Sequence, residues 1–174
     1  ENLSLQQLEK FDAVITGIRA YNVNDNLILH QDVLFEYVKN GGTLITQYSQ
    51  LMGIKTEKVA PYSLKLGRER VTDENSPVKF LVPKHAVLNY PNKITQKDFE
   101  GWVQERGLYF AKKWNRKFTP ILGMNDPGEK ELKGSLLVAQ YGEGHYVYTG
   151  LSFFRELPAG VPGAYRLFAN ILAL

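Results

Sequence analysis

A chain of 174 residues with 44% hydrophobic and 22% charged side chains is of single-domain size, can bury roughly two thirds of its unfolded surface, and carries no low-complexity tract that would predict disorder. Its 21 Lys and Arg against 18 Asp and Glu leave a small excess scattered from Lys10 to Arg166 without a stripe, which argues against nucleic acid as the partner. Zero cysteines exclude disulfides, thiolate metal sites and a thiol nucleophile, and no apolar run approaches the roughly 18 residues of a membrane span.

Glu1 is neither an initiator Met nor the start of a signal-peptide pattern, so the chain is expected to be a piece of something longer. Ser4 is placed to cap a short helix reaching Lys10. Asp12-Ala-Val-Ile-Thr16, a brief apolar run ending at Gly17, has the pattern of a buried parallel strand, and a loop with Arg19, Tyr21 and Asn22 follows. From Asp25 to Asn40, Leu27, Leu34 and Val38 recur at helical spacing with Val33 and Tyr37 beside them. The pattern predicts one helix over about 26–40, stopped by Gly41-Gly42. Thr43-Leu-Ile-Thr-Gln47 is the next strand, so residues 12–47 spell a right-handed crossover in a parallel sheet.

Pro61, Pro77, Pro83 and Pro91 break residues 50–105 into short pieces, with Val78-Lys-Phe-Leu-Val82 the one plausible strand. Irregular structure packed over the end of the sheet is expected there. Lys112, Lys113, Arg116 and Lys117 form a basic knot interleaved by Tyr109, Phe110 and Trp114; a solvated hairpin or loop explains it more simply than a nucleic-acid platform. Leu136-Leu-Val-Ala-Gln140 and His145-Tyr-Val-Tyr-Thr149 flank Gly142-Glu143-Gly144, which predicts an antiparallel hairpin at one edge of the sheet. Ala164, Leu167, Phe168, Ile171 and Leu172 give a helical face that closes it.

The order of elements, with Gly41-Gly-Thr-Leu-Ile-Thr-Gln-Tyr-Ser49 and Tyr141-Gly-Glu-Gly-His-Tyr-Val-Tyr-Thr-Gly-Leu151, resembles the class I glutamine amidotransferase-like domains grouped with the ThuA-like proteins. A closer resemblance is to the domain that follows the catalytic domain in some bacterial PIG-L (LmbE-like) de-N-acetylases. It is carried by Gly17-Ile-Arg-Ala-Tyr-Asn22, Arg70-Val-Thr-Asp-Glu-Asn75, Asp98-Phe-Glu-Gly-Trp-Val-Gln-Glu-Arg-Gly107 and Leu151-Ser-Phe-Phe-Arg-Glu-Leu-Pro-Ala-Gly160. The resemblance implies a flavodoxin-like three-layer α/β sandwich over residues 1–174, lacking the usual first strand-helix unit. It places zinc-dependent chemistry in a deacetylase domain of a parent chain, since the Asp-Asp and distant His motifs are missing here, and it leans toward a periplasmic or secreted location, with the cytoplasm open.

In a glutaminase of this fold the nucleophile occupies the sharp turn after the second strand, here Gln47-Tyr48-Ser49. Ser49 without a Gly-x-Ser-x-Gly context or a neighbouring base is a poor substitute for a thiolate. His30, His85 and His145 are dispersed without ligand spacing, so no metal and no cofactor is expected. Asp73, Glu74, Asp98, Glu100 and Glu105 could supply a carboxylate pair, although nearby acids in loops are usually solvated. Arginines and aromatics near strand ends form a more specific set: Arg19, Tyr21, Gln47, Tyr48, Arg70, Trp102, Glu105, Arg106 and Arg155, with Arg68 and Phe153 beside them. Arg19 and Tyr48 follow two strands whose carboxyl ends bound the usual ligand crevice of an open parallel sheet. Most of the set is expected in one cleft, as a sugar or anion site or as an ion-pair network with Asp73, Glu74 and Glu105. The function expected is that of a non-catalytic accessory domain, its partners being a carbohydrate ligand, the parent's deacetylase domain and further copies in an oligomer. The alternative is an independent hydrolase at the elbow near Ser49.

Overall fold

The computed structural model describes residues 3–174; Glu1, on which the expectation of an upstream segment rests, lies outside them. A mainly parallel sheet organises an α/β fold. Its strands β1 (Ala13–Thr16) and β2 (Thr43–Gln47) pair in parallel, with Thr16 opposite Thr46. The Gln47 amide donates to the Thr16 carbonyl at 3.5 Å, tying the two strand ends. α1 (Leu5–Leu8) precedes β1, and between the two strands the chain forms the short α2 (Ala20–Val23), α3 (Asp25–Leu29) and α4 (Gln31–Lys39). Ser4 and Gln7 close α1 with a reciprocal capping box, satisfying N–H groups that a helix start otherwise leaves orphaned.

The single helix expected over 26–40 is interrupted. Asn24 accepts from Leu27 N–H to cap α3, His30 leaves helical geometry at φ −107° and ψ 19°, and α4 restarts at Gln31. The break turns Gln31 inward, 7% exposed, where its amide donates to the Lys58 carbonyl.

Residues 50–105 are largely irregular, as the prolines suggest. They hold β3 (Leu64–Leu66) and β4 (Lys79–Phe80), the latter a two-residue remnant of the strand expected over 78–82. β5 (Ala111–Trp114) pairs antiparallel with β3, so the basic knot begins on a strand. β6 (Thr119–Pro120) and β7 (Leu122–Gly123) follow, β7 pairing with β4. The hairpin forms from β8 (Leu136–Tyr141) and β9 (Gly144–Thr149) around a two-residue turn. Its position corrects the expectation: the main sheet runs β1-β2-β9-β8-β6, with β9 parallel to β2 in the centre and β6 outside β8. Burial explains this, because Tyr146, Val147 and Tyr148 are each 0% exposed and need cover on both faces.

Side-chain alternation divides the core between those faces. Leu44, Leu137, Ala139, Tyr146 and Tyr148 pack with Leu34, Phe35, Tyr37 and Val38 of α4. Ile45, Leu136, Val138 and Val147 pack with Ala164, Leu167 and Ile171 of α6 (Pro162–Leu172), which follows the one-turn α5 (Phe153–Glu156). The carboxyl ends of β1, β2 and β9 therefore open onto a common rim. No helix among the described residues is long and apolar enough to cross a membrane.

Candidate functional site

Three parallel strands deliver their following loops to this rim. After β1 comes Arg19, exposed and left-handed at φ 59°, its N–H donating to the Tyr48 carbonyl at 2.7 Å just beyond β2. After β9 comes α5, which carries Phe154 and Arg155. Tyr48, 5% exposed, stacks on Tyr109 with centroids 5.5 Å apart and meets the Phe154 ring edge-on at 5.4 Å. Burial pushes the Tyr48 hydroxyl above its ordinary pKa, opposed by the positive charges of Arg19 and Arg155.

Glu105 supplies the charge at the centre. Its side chain is 2% exposed, and it accepts from Arg70 at 2.7 Å on one oxygen and from Arg155 Nε at 3.0 Å on the other. Arg155 also donates to the Gln104 side chain and lies 4.9 Å from the Phe154 centroid. Arg70 keeps about half of its surface in solvent. Outside glycine, the described residues with positive φ are Arg19, Gln104 and Tyr109, at 59°, 68° and 52°. All three belong to this rim. L-residues adopt that region at a cost, and it collects where backbone geometry is dictated by neighbours or by a ligand.

The rim thus gathers Arg19, Tyr48, Arg70, Glu105 and Arg155. Other members of the predicted set lie elsewhere. Tyr21 is 0% exposed beneath the α4 face, its hydroxyl beside Thr46 and Gln31 without a well-formed hydrogen bond, and burial raises its pKa. Arg106 and Trp102, each 4% exposed, belong to the opposite core. Arg106 Nε donates to the Ser76 carbonyl at 3.0 Å, and the guanidinium lies over the Phe99 and Trp102 rings at 5.8 and 5.6 Å. Burial lowers its pKa to about 10, against the opposing charge of Glu156. Trp102 Nε1 donates to the Asp98 carbonyl at 3.0 Å. Both side chains are consumed by internal partners because their segment crosses under α5. Phe153 is likewise core at 1% exposed, and its neighbour Phe154 takes the rim position. Gln47 stands at the strand end, held to Thr16. Arg68 is exposed.

The acids also sort differently from the expectation. Asp73 and Glu74 act on Arg106, whereas Asp126 takes the place foreseen for them near Arg70. Asp126 accepts from Thr72 N–H at 2.9 Å, Thr72 Oγ1 at 2.7 Å and Asp73 N–H at 2.9 Å. Tyr109, Phe154 and Asp126 were missed because each joins the rim through distant chain. Only the adjacency of Phe154 to Arg155 could have signalled one of them.

Ser49, at the elbow, is 1% exposed, and its hydroxyl has no hydrogen-bond partner among the described residues. His30 Nδ1 sits 2.9 Å from the Asn26 carbonyl, and His85 Nδ1 accepts from Val87 N–H at 3.2 Å. Among the described residues no group of three His, Asp or Glu side chains is arranged to hold a metal ion. Neither of the larger grooves is lined by a rim residue. One of about 630 Å³ is lined by residues within 51–66, and another of about 610 Å³ lies at the opposite end of the sheet beside Asp12, Gly42 and Thr43.

No protein-family model and no curated protein matches the chain. Solved structures do share its fold. A cytoplasmic protein from Salmonella typhimurium superposes with a TM-score of 0.64 at 16% identity, over 98% of this chain and 74% of that one. A second cytoplasmic protein, from Salmonella typhimurium LT2, gives 0.61 at 12% identity over the same shares. A beta-galactosidase from Bacillus circulans sp. alkalophilus gives 0.53 at 12% identity, over 94% of this chain and 22% of that one. At such identities the likeness concerns the fold, and function has to be read from the site.

Proposed function

We propose that this chain is a non-catalytic accessory domain whose strand-end rim binds carbohydrate. In this reading it is built on a flavodoxin-like, class I glutamine amidotransferase-like three-layer fold and works beside the zinc-dependent de-N-acetylase domain of a PIG-L-type parent. One observation carries it. Each of the four phrases on which the de-N-acetylase resemblance rests contributes at least one side chain to the same rim: Arg19, Arg70, Glu105, and Arg155 with Phe154. Chain segments that are unrelated in sequence but meet at one polar, aromatic surface are what a recognition site requires.

The chemistry suits a sugar. Tyr48, Tyr109 and Phe154 offer aromatic surface, and the planar guanidinium groups of Arg70 and Arg155, already oriented by Glu105, can present their remaining N–H donors to hydroxyl, acetamido or carboxylate oxygens. Against the carboxylates of Glu105 and Asp126 the rim sets three arginines, an excess of one positive charge that favours acidic over neutral saccharides. The beta-galactosidase that holds this fold in 22% of its chain is an instance of such a fold as one part of a larger sugar-processing protein. The alternative of a hydrolase at Ser49 draws no support from the geometry, since a buried hydroxyl without a base is not an activated nucleophile.

The test is calorimetry of the domain against N-acetylated and uronate-containing oligosaccharides, with Arg155→Ala and Tyr109→Ala as variants. Binding weakened about tenfold or more by each variant is expected. Absence of heat with every saccharide, together with a parent enzyme whose kinetics and assembly do not change when the domain is deleted, would refute the reading.

A further inference from the structure

None of the rim residues lines the groove of about 630 Å³. It runs along β3, all of whose residues line it, and its wall continues through Ile54 and Tyr62. Three features of it belong together. First, β3 pairs with β5 on one side only, so among the described residues the N–H and C=O groups of its other edge have no strand partner. Second, its apolar lining is anchored, because Leu64 is buried while Ile54, Tyr62 and Leu66 are half-buried and packed onto the same core. Third, its border is basic in a way the fold alone does not explain. Lys65 stands directly opposite Lys113 across the antiparallel pair, both exposed, and neither makes an ion pair among the described residues. Like charges facing each other across a ladder destabilise it. Lys117 adds a third cation, 5.5 Å from the Tyr62 centroid, and Glu57 is the one carboxylate among the lining residues.

We infer that this groove is a docking site for an extended acidic polypeptide segment, which adds as a further strand to the free edge of β3. Main-chain groups on a strand edge are matched in register only by another main chain. The apolar lining takes side chains at every second position of such a strand, and the intervening positions reach the lysine border. Acidic residues there neutralise the Lys65–Lys113 repulsion, so the charge pattern that costs the free domain stability is what selects its partner. A sugar or an inorganic polyanion could meet the lysines but would leave the strand edge unpaired.

The experiment uses three decapeptide probes, alternating Val with Glu, Val with Lys, or Val with Ser, titrated into the intact chain while backbone amide shifts are followed. The Val–Glu peptide is expected to bind with shifts centred on residues 63–67, and the Val–Lys peptide is not. Methylating alternate amides of the Val–Glu peptide, or substituting Lys65→Glu, should weaken binding about tenfold or more. Lys65→Glu should also raise the melting temperature by converting the like pair with Lys113 into an opposite one, which reports that the variant is folded. The proposal is overturned if no Val–Glu binding is seen, if the methylated peptide or inorganic polyphosphate binds equally well, or if Lys65→Glu leaves the affinity unchanged.

Discussion

A carboxylate as buried as Glu105 is costly to bury without cationic partners, and the arginines that pair with it keep a third to a half of their own surface in water. That asymmetry decides what mutations cost. Removing Glu105 lets Arg70 and Arg155 turn outward, so Glu105→Gln should cost about 1–2 kcal/mol. Removing both arginines strands the carboxylate, and the double alanine variant should lose about 3–5 kcal/mol in urea unfolding. Equal losses would mean that Glu105 is not the buried partner. Arg106 is a contrasting case. It is internal, so Arg106→Ala should destabilise by about 3 kcal/mol and leave saccharide affinity unchanged in the folded fraction. Arg19 behaves oppositely: glycine accepts its left-handed backbone freely, so Arg19→Gly should raise stability by up to about 1 kcal/mol while weakening binding at the rim. Sequence could place Arg19 and Tyr48 because they directly follow strands. It could not separate Arg106 from Arg155, since both are arginines in loop-rich segments and only the path of the chain sends one inward.

Among the elements, the Gly41-Gly42 helix stop and the Gly142-Glu143-Gly144 turn form one contact. The hairpin turn docks on the end of α4, with Glu143 N–H donating to the Lys39 carbonyl at 3.0 Å and His145 N–H to the Gly42 carbonyl at 3.2 Å. A Cβ on Gly144 would sit 2.2 Å from the carbonyl oxygens of both Gly42 and Val38, which backbone cannot yield. Gly144→Ala should therefore destabilise by at least about 1–3 kcal/mol, read from the denaturation midpoint. Hairpin and glycine stop were legible from spacing; their mutual packing was not, because it joins residues a hundred positions apart. Asp126 pins another element, the turn at Thr72–Asp73. Burial pushes its pKa up, but the N–H groups of Asp73 and Thr72, the Thr72 hydroxyl and the charge of Arg70 bring it below the ordinary value of 3.8. A folded value below the unfolded one stabilises fully above the unfolded value and is lost as pH falls through the folded one. Between neutral pH and the acid limb, the wild type should thus lose more stability than Asp126→Asn, and parallel pH profiles of the two would contradict the assignment.

At the scale of the molecule, the strands β1, β2, β8 and β9 and most of α4 and α6 were readable because hydrophobic period and turn residues are local signals, whereas the order of the strands and the break at His30 were not. The segment over 50–105 was readable only as irregular, since what holds it is a set of separate side-chain anchors. Asn22 and Gln50 exchange hydrogen bonds at 2.9 Å at its start, Arg106 reaches the Ser76 carbonyl in its middle, and the Asn170 amide donates to the Val87 and Asn92 carbonyls at 2.8 and 2.7 Å. Anchors of this kind can release one at a time, whereas β2 and β9 are hydrogen-bonded on both sides and covered on both faces. Residues 50–63 are held by single bonds rather than by a ladder: Asn22 on Gln50, Lys55 N–H on the Tyr21 carbonyl at 3.0 Å, the Gln31 amide on the Lys58 carbonyl and the Tyr146 hydroxyl on the Val59 carbonyl at 2.7 Å, with exposed side chains such as Met52 between them. Amides of β2 and β9 should accordingly exchange with solvent only through global unfolding, at rates that rise steeply with low urea. Amides of residues 50–63 should exchange through local opening, faster by orders of magnitude and nearly independent of urea. Binding of an acidic strand to β3 should slow the second group and leave the first unchanged. If residues 50–63 exchanged as slowly as the central strands and with the same urea dependence, the segment would be an integral part of the folding unit and not a clasp over a docking groove.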